Sequence, residues 1–231
     1  MRNVIAASAK ISKSTQLGWG NKIGENVRIC ENVKIGNCNT IYDGTILYPN
    51  TIIGDHNVIL EDVRIGDHPV NMDYIFKKEY NGVSIGNHNT LHGRSVIFGG
   101  TNDVTRIGDN NRISYNAHIG HDSEITHGVH LYPNTIVGGH SILLHNSGIG
   151  IGGGIHQCRV LGAYAFVGML SAMTKNAEPF YIYVGNRALR LNTKRIPANL
   201  LTKDNCELIQ EKISQHYEDY QLALARIKLL N

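Results

Sequence analysis

Residues 5–35 read IAASAKISKSTQLGWGNKIGENVRICENVKI, and every sixth position is aliphatic: Ile5, Ile11, Leu17, Ile23, Ile29 and Ile35. The frame continues through Ile41, Leu47, Ile53, Ile59 and Ile65, resumes at Ile85, Leu91 and Ile97, and runs again from Ile107 to Val167. A period of six fits neither the 3.6-residue helix nor strand alternation. It fits short strands joined by tight turns, three hexads making one triangular coil. Four places after each aliphatic, small or β-branched residues recur, among them Val27, Val33, Thr45, Thr51, Val63, Ala117, Val129, Thr135 and Ala165. The aliphatic fills the axis and the small residue lets the chain turn a corner, where Gly and Asn accept a positive φ. Such a rod buries a core only by stacking coil on coil. The sequence therefore predicts an all-β parallel β-helix over residues 1–178.

The repeat breaks twice. Residues 68–82 and 100–106 leave the frame and read as loops thrown out of the rod, where function often sits; tolerated insertion is the plainer reading. After Val167 the pattern fades, and Pro179 and Pro197 punctuate the exit. From about Lys203 to Leu230, Leu208, Ile209, Ile213, Tyr217, Tyr220, Leu224 and Ile227 recur at helical spacing. Residues 179–231 thus read as a C-terminal α-helical extension, with a short helix near 187–194, placed over the open end of the rod or against neighbouring subunits.

Histidine is concentrated. Residues 118–156 hold seven of the 12 histidines, where even scatter gives about two. The coil period says which of them meet. His121, Gly139 and Gln157 stand one coil apart and stack in a column, His140 and His156 flank it, and His118 lies three residues before His121. A histidine titrates near neutrality and serves as general base toward a hydroxyl or amine. Asp122 beside it would fix its tautomer, although neighbours in an extended strand point apart, so the pairing needs a bent corner. A glycine can offer its N–H to an oxyanion. His127 and His145 also stack but lack a carboxylate neighbour, and read as solvated or interface histidines.

The chain has 231 residues and a formal charge of +3, spread without a basic block, which speaks against nucleic acid as partner. No apolar run reaches the length of a membrane span, and the N-terminus lacks the apolar run of a signal peptide. Four cysteines without CxxC spacing read as reduced thiols of a cytoplasmic protein. Zinc is the rival reading of this cluster, because gamma-class carbonic anhydrases hold it on histidine-rich β-helices; the remaining histidine spacing does not match that class, and no metal is expected.

The segment Asn116-Ala117-His118-Ile119-Gly120-His121-Asp122, followed by Gly138-Gly139-His140, Ile155-His156-Gln157 and Gly185-Asn186, resembles the acyl-[acyl-carrier-protein]–UDP-N-acetylglucosamine O-acyltransferase family of lipid A biosynthesis. The likeness covers about residues 1–196. It implies a left-handed helix, whereas the usual crossover rule would give the opposite hand, and a homotrimer with active sites between subunits. It implies catalysis by His121, Asp122 and the Gly139 N–H, with no cofactor. His118, His140, His156, Gln157, Asn192, Arg195 and the loop residue Asp73 would bind the sugar nucleotide. The donor would be an acyl-ACP thioester, and Met169 would close the acyl groove, its bulk implying a shorter chain. Three departures stand out: a short C-terminal extension, a partial match at Asn192-Thr193-Lys194-Arg195, and Phe98 where the family has histidine. The alternative is an N-acyltransferase using acyl-CoA and an aminodeoxy nucleotide sugar.

Overall fold

The computed structural model describes residues 2–69, 81–196 and 206–229. Most hexads contribute a two-residue strand, such as Lys22–Ile23 and Arg28–Ile29. The strands form three sheets of 11, 9 and 8 strands. Sheet A begins with Val4–Ile5, sheet B with Lys10–Ile11 and sheet C with Gln16–Leu17. The chain visits A, B and C in turn, so each strand pairs in parallel with the strand one coil later: Val4 with Lys22, Lys10 with Arg28, Gln16 with Lys34. The result is a left-handed parallel β-helix of about 9 turns with a C-terminal helix.

In the two-residue strands the second residue points to the axis. Ile29, Ile41, Leu47, Ile59, Ile97, Ile119 and Leu143 are all but fully buried, each worth roughly 1.5–3 kcal/mol of transfer free energy. The corner residues Val27, Val33, Val63, Ala117 and Ala165 are buried with them, as the repeat predicts. A ladder of asparagines satisfies part of the polar interior. Asn39 Nδ2 donates to Asn21 Oδ1 (3.1 Å) and to the Gly54 carbonyl (2.9 Å), and Asn57 and Asn89 repeat the pattern. Positive φ at the corners is not confined to Gly and Asn. Cys38, Arg94, Tyr164 and Leu170 adopt it too, because stacking on the neighbouring coils outweighs the left-handed penalty of about 1–2 kcal/mol.

Two expectations for the C-terminal part are corrected. Tyr181–Val184 extends sheet A, and Leu189–Lys194 returns antiparallel against it. The short helix near 187–194 does not form, and the β-structure passes beyond residue 178. An open sheet edge offers unpaired backbone groups that a returning chain can satisfy, while so short a helix gains little. Helix α1 (Cys206–Lys228) lies along the flank of the rod instead of over its end. Tyr220, Ala223 and Ile227 pack on Ile142, Val160 and Ala163 of sheet C and its corner, and Arg226 pairs with Glu124 at 2.6 Å. The helix therefore runs down sheet C, and among the described residues no helix packs on the outer faces of A and B.

Candidate active site

The corner between sheets B and C carries the histidine column. His118–Ile119 is a strand of sheet B and Glu124–Ile125 the following strand of sheet C, with His121 and Asp122 turning between them. One coil on, Gly139 and His140 occupy the same corner, and after another coil Gln157 and Cys158. The His140 N–H donates to the His121 carbonyl and the Cys158 N–H to the Gly139 carbonyl, each at 2.9 Å. The stacking inferred from the eighteen-residue period is thus present.

Asp122 takes φ 57°, which bends the chain enough for adjacent side chains to meet. His121 Nδ1 lies 2.6 Å from Asp122 Oδ2. An ionised carboxylate only accepts, so in this contact Nδ1 is the donor and Nε2 is left as an acceptor. The carboxylate is 2% exposed. Burial alone would raise its pKa, but hydrogen bonds from His121, Thr101 and the N–H groups of Asp103 and Asn102 outweigh this and hold it far below the usual carboxylate range. His140 sits edge-on to His121, ring centres 5.1 Å apart, with Nε2 3.6 Å from Asp122. Burial lowers its pKa, and Asp122 partly offsets this.

Gly139 packs against the base. A Cβ built there would sit 2.9 Å from His121 Nε2 and 3.0 Å from Cε1. The Gly138 N–H donates to the Ile155 carbonyl, but among the described residues nothing accepts from the Gly139 N–H. At other corners the equivalent N–H is capped by a side chain one coil on, as Glu25 is by Asp43 at 2.7 Å and Asn37 by Asp55 at 2.6 Å. Near His121 there is therefore a backbone donor with no acceptor among the described residues.

Ligand atoms of His121, Asp122 and His140 lie within 4.8 Å of one another, close enough for a metal. Asp122 is already committed, however: Oδ1 accepts three backbone N–H groups, and Oδ2 accepts the Thr101 hydroxyl and His121. That donor set suits proton transfer better than coordination.

The other predicted residues fall in three places. His156 and Gln157 line a groove of about 490 Å³ on sheet B, which also takes in Ile136, Gly154, Leu170 and Ala172. His118 points outward on the same sheet and packs on Phe98, ring centres 4.6 Å apart, with burial lowering its pKa. Met169 stands 65% exposed at the far edge of sheet B, and its neighbour Leu170 is the residue that lines the groove. Asn192 and Arg195 lie on the sheet A side, away from His121. Arg195 faces the Phe166 ring at 5.3 Å and shares a cavity of about 240 Å³ with Arg112, His130 and Tyr132. Asp73 lies outside the described residues. Sequence reasoning missed Thr101, Phe98 as a wall for His118, and the Arg112–Arg195 cavity; the last joins residues far apart in the chain, and no local pattern marks it. It also erred on His127 and His145. They do stack, ring centres 5.5 Å apart, but Asp109 approaches His127 at 3.4 Å and helix Asp219 approaches His145 at 3.9 Å.

No family model matches the chain. Among curated proteins it is 35% identical over 139 residues to the acyl-[acyl-carrier-protein]–UDP-N-acetylglucosamine O-acyltransferase of Burkholderia orbicola, covering 59% of this chain and 52% of that one. It is 34% identical over 171 residues to the Nautilia profundicola enzyme of the same name, covering 72% and 65%. Its coordinates superpose on UDP-N-acetylglucosamine acyltransferase from Campylobacter jejuni with TM-score 0.78 and 28% identity, over 94% of this chain and 83% of that one. The chain belongs to this O-acyltransferase family. It spans about half the length of the first curated relatives it matches. A second solved family member gives TM-score 0.83 at 26% identity over 94% of this chain. In the described residues no helix is long and apolar enough to cross a membrane.

Proposed function

We propose that the chain transfers an acyl group from an acyl-ACP thioester to a hydroxyl of UDP-N-acetylglucosamine, with His121 as general base. The observation that carries this is the His121–Asp122 hydrogen bond of 2.6 Å, with Nε2 set beside the unclaimed Gly139 N–H. His121 Nε2 takes the hydroxyl proton as the sugar oxygen bonds to the thioester carbon. The carbonyl oxygen becomes an oxyanion, which the Gly139 N–H stabilises. The tetrahedral centre collapses, the C–S bond breaks, and His121 returns the proton to the departing thiolate. Atoms and charges balance without a cofactor and without an acyl-enzyme.

Substrate contacts follow the grooves. His118, His140, His156 and Gln157 hold the sugar nucleotide at sheet B, joined by Asp73. The acyl chain runs over Ile136, Gly154 and Ala172 toward Met169. Asn192 and Arg195 are on the other uncovered face, so they reach a site only in another copy. A homotrimer in which sheet A of one subunit meets sheet B of the next accounts for this, and for the exposed, 57%-accessible Ile136. Cys30, Cys38 and Cys158 are free, in keeping with a cytoplasmic enzyme.

The test is a transfer assay with UDP-N-acetylglucosamine and with an aminodeoxy nucleotide sugar, each with acyl-ACP and acyl-CoA, read by mass spectrometry. An O-acyl product from acyl-ACP is expected, and His121→Ala should reduce its formation about a thousandfold. An N-acyl product that survives His121→Ala would replace this reading; no product from any pairing would refute it.

A further inference from the structure

The 100–106 excursion replaces the B-to-C corner one coil before His121 and Asp122, between the strands Val96–Phe98 and Thr105–Ile107. A merely tolerated insertion there would have no reason to grip anything. This one closes on Asp122 from three sides. Oδ1 accepts the N–H groups of Thr101, Asn102 and Asp103 at 3.0, 2.9 and 2.7 Å. Oδ2 accepts the Thr101 hydroxyl at 2.6 Å. The Asp122 N–H donates to Thr105 Oγ1 at 2.8 Å. Successive backbone N–H groups converging on one oxygen form an anion nest.

The loop is itself braced. Arg106 makes two hydrogen bonds to the Asp103 carboxylate, at 2.7 and 2.9 Å, and Asp103 Oδ1 accepts the Val104 N–H at 2.7 Å. At Gly100 any side chain would overlap the Asp103 carbonyl oxygen, so the tight start of the loop requires glycine. Among the described residues, Thr101 supplies the one loop side chain that touches the carboxylate.

We propose that the 100–106 excursion is a clamp that fixes the Asp122 carboxylate against His121 Nδ1, and that Thr101 is its positioning residue. The inference rests on the acyl-transfer reading above and adds a residue to it. A carboxylate shared among these donors has its charge partly neutralised and its orientation fixed. It then keeps the proton on His121 Nδ1 and directs Nε2 outward, without holding an accepted proton so tightly that return to the thiolate is slow. Thr101 touches no substrate; it acts through Asp122.

Thr101→Val keeps the shape and removes the hydroxyl, while Thr101→Ser keeps the hydroxyl. The assay is the pH dependence of kcat and KM for acyl transfer by the full chain, alongside the thermal midpoint. Thr101→Val should lower kcat about tenfold, leave KM within about twofold, and move the acid limb of the kcat/KM profile upward, because the less neutralised carboxylate favours the imidazolium. Thr101→Ser should restore the rate and the profile. Wild-type kinetics in Thr101→Val would overturn the proposal. So would equal loss in Thr101→Ser, or a rate loss that follows the thermal midpoint with an unmoved pH profile. A second readout needs no turnover: the far-downfield proton resonance of His121 Nδ1, assigned by its loss in His121→Gln. It should shift further downfield in Thr101→Val, because Oδ2 loses a competing donor and accepts more strongly from Nδ1, and an unchanged resonance would refute the clamp. If the wild-type protein transfers no acyl group, the acyl-transfer reading fails, and this resonance still decides the clamp.

Discussion

Gly139→Ala separates two roles that one glycine combines. The new methyl leaves the N–H in place, so the oxyanion donor survives. It would stand 2.9 Å from His121 Nε2 and 3.0 Å from Cε1, whereas ordinary contact begins near 3.4 Å. The imidazole must retreat by about 0.5 Å, and it is free to do so, because Nε2 is the outer end of a side chain that is not fully buried. Its tether to Asp122 converts this retreat into a rotation about Nδ1. A misplacement of 1 Å at a reacting group costs on the order of a hundredfold, so a half-ångström error should cost about tenfold in kcat. Stability should change little, since no core atom and no backbone atom closer than 3.2 Å is touched. The assay is steady-state acyl transfer beside a thermal melt. A full rate with a normal melt would show that the base does not work from this position. A collapsed melt would show that the coil, not the imidazole, yields.

Other outcomes follow from the same coordinates. Ile119→Ala empties a fully buried axial position one coil face from the site and should cost about 2–5 kcal/mol in a denaturant titration; a loss below about 0.5 kcal/mol would contradict the packed axis. Met169→Gly should shift donor preference toward longer acyl chains in a competition of mixed acyl-ACPs, and an unchanged product distribution would remove Met169 from the groove. Helix docking should weaken in acid. Burial, then the neighbouring histidines, lowers the pKa of His145 and His216, with Asp219 opposing; Asp109 and Tyr164 also face this cluster. The native state therefore binds fewer protons than the unfolded chain, and stability falls as pH drops below the ordinary histidine value of about 6.5. The thermal midpoint should decline between about pH 7 and 5, less so in His216→Phe, and a flat profile would refute the coupling.

The axial core was legible because one residue type recurs at one interval, and no other architecture uses that interval. The stacking of the histidine column was legible for the same reason: a fixed coil length turns sequence separation into spatial register. What escaped notice depends on geometry without period. Thr101 reaches Asp122 only because its loop folds back, and nothing in Gly99-Gly100-Thr101 specifies that direction. Leu189–Lys194 forms a strand because a sheet edge happens to stand open beside it, a tertiary cause that outweighs local preference. Asp219 reaches His145 from helix α1, outside any period, whereas Asp109 stands one eighteen-residue coil before His127 and is the one partner that the coil step could have found.

The asparagine ladder explains how such a rod can acquire chemistry at all. The Asn89 N–H donates to Asn57 Oδ1 across 32 residues at 2.9 Å, and the Asn111 N–H to Asn89 Oδ1 across 22 at 2.8 Å, as the Asn39 N–H does to Asn21 Oδ1 at 2.9 Å where the separation is 18. Extra chain inserted at a corner is thus invisible to the axis. Each vertex is a free port where new segments can be tried one at a time, while the amide spine keeps the floors level above and below.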